Sequence, residues 1–97
     1  MSFGFEWDPE KAEANVRKHG VSFDEASTVF GDPFARTRPD PLHSVDEERW
    51  ITLGESEQGR LLVVVHTDSD DEVIRIISAR PPTGREWRTY AESRRRR

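Results

Sequence analysis

Arg75, Arg80, Arg85 and Arg88 recur late in the sequence at spacings of five, five and three, in a stretch patterned to fold. Arginine keeps its charge and presents a planar fork of donors that meets phosphate bidentately. Two or three on one surface can therefore stabilise a pentacoordinate phosphorane without a metal. A histidine or lysine beside them could move the protons, and Lys18 and His19 supply one of each. Together these are the parts needed to cleave RNA by attack of its own 2′-hydroxyl on the neighbouring phosphate. The same arginines could equally pair with the nineteen carboxylates as ordinary surface charges.

The histidines carry the same ambiguity. His19, just before Gly20, could cap a helix C-terminus as readily as it could act on a substrate. His43 lies beside Ser44 in a polar loop, and His66 at the end of an apolar strand reads as a hydrogen-bonded core residue. No Gly-rich phosphate loop, HExxH, nucleophile elbow or carboxylate cluster of metal-site spacing is present, so no cofactor or metal is expected. Asp70, Asp71 and Glu72 read as the solvated turn of a hairpin, because adjacent residues at a strand end diverge.

Charge is unevenly spread. From Val73 onward eight arginines face Glu86 and Glu92, a balance of +6, whereas the first 72 residues carry −10. One end is thus suited to a polyanion and the other to a basic partner or to solvation. Net charge of −4 argues against a stand-alone nucleic-acid binder. Arg94 to Arg97 have no apolar spacing and read as a basic tail, residues 94–97, after one domain over residues 1–93. Ninety-seven residues support one core and an open cleft rather than an enclosed cofactor pocket. Without cysteine there is neither a disulfide framework nor a thiolate site, which agrees with a reducing cytoplasm. No run reaches the ~20 apolar residues of a membrane span.

These residues need positioning elements. Phe3, Phe5 and Trp7 alternate as a short strand. Asp8-Pro9 opens a helix that Gly20 stops, with Ala12, Val16 and His19 inward and Lys11, Asn15 and Lys18 on a polar stripe. Ser22 and Glu25 form a capping box for a short helix carrying Phe23, Ala26 and Phe30 inward until Gly31-Asp32-Pro33. Phe34 to Arg38 suits an edge strand and Pro39 to Glu47 a loop. Arg49 to Glu55, Leu61 to Thr67 and Val73 to Arg80 follow as a three-strand antiparallel meander with the middle run central. Thr83 and Glu86 box the start of a last helix, Gly84 to about Ser93. Strict alternation puts Arg75 and Arg80 on opposite faces of their strand unless a bulge or the Pro81 bend intervenes. The order is strand, helix, helix, strand, three-strand meander, helix: an α+β domain with two helices on one face of a twisted antiparallel sheet.

The string itself resembles the BrnT family, the toxin half of BrnT/BrnA toxin–antitoxin systems. The resemblance rests on Phe5-Glu6-Trp7-Asp8-Pro9 with Lys11 and Asn15, then Lys18-His19-Gly20-Val21-Ser22-Phe23, Val29-Phe30 and Asp32-Pro33. It continues through Asp40, His43-Ser44, Glu48-Arg49, Gly59 to Val65 and Ile74 to Arg80, and ends at Thr83, Glu86 and Tyr90. It implies a RelE-like fold, a metal-independent endoribonuclease activity that arrests growth, and neutralisation by a BrnA-like ribbon-helix-helix antitoxin. DNA would be met only through that antitoxin. It also implies Lys18, His19, Arg75 and Arg80 as the catalytic candidates and Arg60, Arg85 and Tyr90 as RNA-binding ones, to which the spacing of the late arginines adds Arg88. Two departures stand out: Pro81-Pro82 follows the strand-end arginine, and Trp87 stands where a further arginine is expected. The alternative role is a catalytically weak module that complexes a DNA-binding antitoxin and modulates its operator binding, for which the acidic first portion is complementary.

Overall fold

The computed structural model describes residues 4–42, 48–68 and 72–95. His43, Ser44, Asp70, Asp71, Arg96 and Arg97 lie outside them. The elements are β1 (Gly4–Glu6), α1 (Pro9–His19), α2 (Phe23–Ser27) with a 3-10 turn over Thr28–Gly31, β2 (Arg36–Pro39), β3 (Trp50–Glu55), β4 (Leu61–Asp68), β5 (Val73–Arg80) and α3 (Gly84–Arg95). This matches the order read from the sequence. The last helix runs two residues further than expected, so Arg94 and Arg95 are helical rather than tail.

Local chemistry sets the boundaries. Asp8 accepts from the Glu10 backbone N–H at 2.8 Å, Pro9 occupies the first helical position, and Gly20 stops α1 at φ 69°. Thr83 and Glu86 complete their box in both directions, with the Thr83 N–H donating to Glu86 at 2.8 Å and the Glu86 N–H donating to Thr83 at 3.2 Å. The Ser22–Glu25 box is only half made. Ser22 accepts from the Glu25 N–H, but the Glu25 carboxylate is drawn away to Arg60 and Ser56.

The sheet order is β1-β5-β4-β3-β2. The meander β3-β4-β5 is antiparallel as expected, and β2 adds antiparallel to β3. β1 corrects the expectation of a wholly antiparallel sheet: it lies parallel to β5, pairing Gly4 with Val73 and Glu6 with Arg75. The 3-10 turn packs close against β3 at Gly54, where a Cβ would fall 3.0 Å from Ala35 and 3.2 Å from the Val29 carbonyl.

The central β4 is buried on both faces, which accounts for its uninterrupted apolar run. On one face Leu62, Val64, Ile76 and Ala79 meet Val21, Phe23, Ala26 and Val29 from the segment around α2, with Phe5, Trp7 and Ala12 alongside. On the other, Leu53 and Val63 meet Tyr90 of α3. Burying a side chain such as Phe23 contributes about 1.5–3 kcal/mol.

Within α1 Asn15 faces inward beside Ala12, and Val16 does not. Asn15 is 7% exposed and donates to the carbonyls of Val21 and Ala79 while accepting from the Ala79 N–H. Val16 is 48% exposed. An amide that satisfies strand backbone outweighs the apolar periodicity here.

Candidate nucleic-acid interface

β5 carries one residue more than β4 beside it: Val65 pairs with Ser78, yet His66 pairs with Ile76, leaving Ile77 as a bulge. A bulge inverts the alternation beyond it. Ile74, Ile76 and Ala79 therefore share the α1/α2 face, and Arg75 and Arg80 both point to the other. The condition that the alternation pattern set for a common face is met by this bulge.

Pairing then aligns two rows across the sheet on the α3 side. One runs Arg36, Leu53, Val63, Arg80, and the other runs Arg38, Ile51, Val65, Ser78. α3 covers only part of this face, and the remainder forms a groove of two adjoining lobes of about 290 and 410 Å³. Arg36, Arg38 and Arg85 line the smaller lobe with Leu53, Thr89 and Glu86. Arg38, Arg49 and Arg80 line the larger with Val65, Ile77 and Asp40. Arg38, Ile51 and Val63 belong to both. Five arginines from four separate segments thus rim an aliphatic floor on a chain of net charge −4.

Within the groove Arg80 and Glu86 form a bidentate pair, Nη1 to Oε1 and Nη2 to Oε2, each 2.9 Å. The bonds from Arg80 hold the Glu86 carboxyl down at about 2 against the opposing effect of burial. Arg36 reaches Ser93 at 3.3 Å, which ties the edge strand to α3.

A model of the ribonuclease toxin BrnT of type II toxin–antitoxin systems matches residues 7–86, most of the chain. The chain belongs to the BrnT family. The family is one of ribonuclease toxins, each part of a toxin–antitoxin pair. A 1.1 Å crystal structure of the Brucella abortus ribonuclease toxin BrnT superposes with a TM-score of 0.65 at 21% identity, covering 84% of this chain and 99% of that one. Comparison with curated protein sequences gives no match.

The structure divides the site residues that the BrnT resemblance implies. Arg80 and Arg85 line the groove, and Arg88 is exposed on α3 three residues beyond Arg85. Arg75 shares the sheet face but sits five residues back along β5, roughly 15 Å away, and pairs with Glu6 at 3.0 Å. Lys18 and His19 end α1, which packs on the opposite face, so the structure does not bring them to the groove. Arg60 is a fastener: Nε and Nη2 grip Glu25 at 2.7 Å each, and Nη2 also donates to the Gly20 carbonyl. Tyr90 is 6% exposed in the core with its hydroxyl on Asp32, so it offers no surface to RNA.

Arg36, Arg38 and Arg49 join the groove in addition to the candidates that the sequence points to. Their signal was present in part, since Arg36-Thr37-Arg38 alternates and so places both arginines on one side of an edge strand. Which side that is depends on the register with β3. Among the described residues no His, Cys, Asp and Glu group could hold a metal ion, and no helix is long and apolar enough to cross a membrane.

Proposed function

We propose that this chain is a metal-independent endoribonuclease toxin with a RelE-like arrangement, cutting RNA by 2′-hydroxyl attack and neutralised by a BrnA-like antitoxin. The observation that carries the reading is the convergence of Arg36, Arg38, Arg49, Arg80 and Arg85 on one groove. In the reaction the 2′-hydroxyl gives up its proton as its oxygen bonds to phosphorus, the 5′-oxygen leaves and takes up a proton, and a 2′,3′-cyclic phosphate remains. The groove's contribution is electrostatic: guanidinium groups fixed by the sheet offset the charge that builds on the phosphorane oxygens. An aliphatic floor of Ile51, Val63, Val65 and Ile77 lowers the local dielectric and strengthens that effect. Lys18 and His19, on the other face, fit a role in partner contact better than proton transfer.

The test is incubation of the purified protein with RNA in excess chelator, with analysis of the ends. Cleavage to 2′,3′-cyclic phosphate that disappears in Arg80→Ala supports the nuclease. Intact RNA, with and without ribosomes, overturns it in favour of the second reading, a partner-binding module that modulates an antitoxin's operator binding. One observation favours that module: Arg60, Arg75 and Arg80 are each already paired with a glutamate of the same chain.

A further inference from the structure

Two arginine–glutamate pairs in this chain use different edges of the guanidinium, and the difference separates a fastener from a seat. Arginine has five N–H donors, and two edges of its plane can each present a parallel pair. Arg60 gives Glu25 its side edge, Nε and Nη2, and spends another Nη2 proton on the Gly20 carbonyl. What remains is the Nη1 amino group alone, with no parallel pair.

Arg80 does the reverse. Its end edge, Nη1 and Nη2, holds Glu86, and the second Nη1 proton donates to the Pro81 carbonyl at 3.1 Å. The two protons left over are on Nε and Nη2, which lie parallel on the side edge. That edge is a complete bidentate fork. Arg80 lines the larger lobe, with Val65, Ile77 and Ser78, whereas Glu86 lines the smaller one. Glu86 and Arg80 thus border different lobes of the groove.

Glu86 is itself fixed. Its Oε1 accepts from the Thr83 N–H at 2.8 Å at the start of α3, so the carboxylate is anchored to the helix and the guanidinium to the carboxylate. The side chain of Arg80 is still 38% exposed, enough for a ligand to reach it.

We propose that Glu86 is a positioning residue for Arg80, holding its end edge so that the side edge forms a preset seat for one phosphodiester of a single RNA strand. The inference rests on the RNA-cleaving reading of the groove. It assigns to Glu86 a role opposite to the obvious one, in which a carboxylate beside a catalytic arginine competes with phosphate and must be displaced. An arginine held by one edge pays little side-chain entropy when phosphate takes the other. Ion pairing through the end edge also keeps the plane of the fork fixed relative to the helix start.

The two roles predict opposite signs. The probe is a fully 2′-O-methylated single-stranded RNA, which lacks the attacking hydroxyl, and the readout is its Kd by fluorescence anisotropy at fixed salt. If Glu86 positions Arg80, Glu86→Ala weakens binding by about tenfold, although it removes a negative charge from the groove. Arg80→Lys, which keeps the charge but has no two-edged plane, weakens it to a similar degree. The double variant is then no weaker than either single one. Thr83→Ala removes the helix cap that Glu86 shares and leaves the Kd unchanged, which separates positioning from helix stability. Binding by Glu86→Ala that equals or exceeds that of the unaltered protein overturns the positioning role while leaving the RNA groove in place. Failure of the unaltered protein to bind this RNA at all overturns the RNA reading itself, and the positioning role with it.

Discussion

The hydroxyl of Tyr90 donates a 2.5 Å hydrogen bond to the carboxylate of Asp32, joining the last helix to the turn that follows the 3-10 segment. Asp32 also accepts from the backbone N–H groups of Phe34 and Glu55, at 2.9 and 2.8 Å. One carboxylate therefore gathers three parts of the chain. Arg94 adds to the same corner, its guanidinium 5.0 Å over the Phe34 ring and 3.8 Å from Glu55.

Tyr90→Phe should therefore lower stability and leave chemistry alone. The ring still fills its place beside Leu53 and Val63, and only the hydroxyl is lost. A hydrogen bond to a charged acceptor contributes about 1.5–3 kcal/mol. A domain of this size loses roughly 4–8 °C of Tm per kcal/mol. Thermal melts in parallel with RNA cleavage check this. Loss of cleavage at an unchanged Tm would place Tyr90 in the reaction instead.

The same corner sets the pH limits of the fold. Burial acts to raise the Asp32 carboxyl, but its hydrogen bonds from Glu55, Tyr90 and Phe34 outweigh it and leave the group below the usual range. Hydrogen bonds from Arg60 lower Glu25, and those from Arg80 hold Glu86 at about 2. For all three the folded value is depressed. Their contribution is complete above the ordinary carboxylate range and is lost as pH falls from there towards 2. Tyr90 has the opposite sign: burial and the Asp32 bond push it up to about 12 from 10.0. Its contribution is complete below pH 10 and lost as pH rises towards 12. Urea midpoints across pH should fall at both ends; Tyr90→Phe should flatten the alkaline fall and, by removing one of the bonds that lower Asp32, soften part of the acid one.

Arg60 makes a fastening prediction of its own. Glu25 is buried, and Arg60→Ala leaves its carboxylate with the Ser56 hydroxyl and with the Gln58 amide, which can turn to donate to both oxygens at 3.0 Å, but with no charged partner. Removing one partner of a pair that is half exposed should cost about 1–3 kcal/mol. Glu25→Gln in the same background should recover part of the loss, because no charge is then left behind. Urea denaturation of the single and double variants gives the coupling. Additive losses would mean that the pair does not act as a unit.

Much of this fold is legible in the residues, and the reasons for the exceptions are physical. Caps, breakers and apolar runs placed the helices and the meander because those signals act within a few residues: Asp8-Pro9, Gly20, Thr83 with Glu86. The parallel seat of β1 on β5 depends on a long-range pairing that three residues, Gly4 to Glu6, do not specify. The site was harder still. Arg80 is a candidate from the sequence, but its face depends on the bulge at Ile77, whose neighbours Ile76 and Ser78 give no local sign of it. Arg36 and Arg38 joined the groove only through register with Leu53 and Ile51. Lys18 and His19 belong to the string that carries the family resemblance, yet lie across the sheet from the groove.

That geometry makes the groove arginines separable from the rest by salt. Each phosphate neutralised on a single strand contributes about 0.7 to the slope of log affinity against log salt. Arg36→Ala, Arg38→Ala and Arg85→Ala should each weaken RNA binding and reduce the slope by about that amount, since all three line the same lobe. Arg38 should matter most for affinity, because it alone of the arginines lines both lobes. Arg75→Ala and Lys18→Ala lie away from the groove and should leave slope and affinity unchanged. Anisotropy titrations of single-stranded RNA over a salt series provide the measurement. A slope reduced by Lys18→Ala but not by Arg38→Ala would move the RNA path to the opposite face of the sheet.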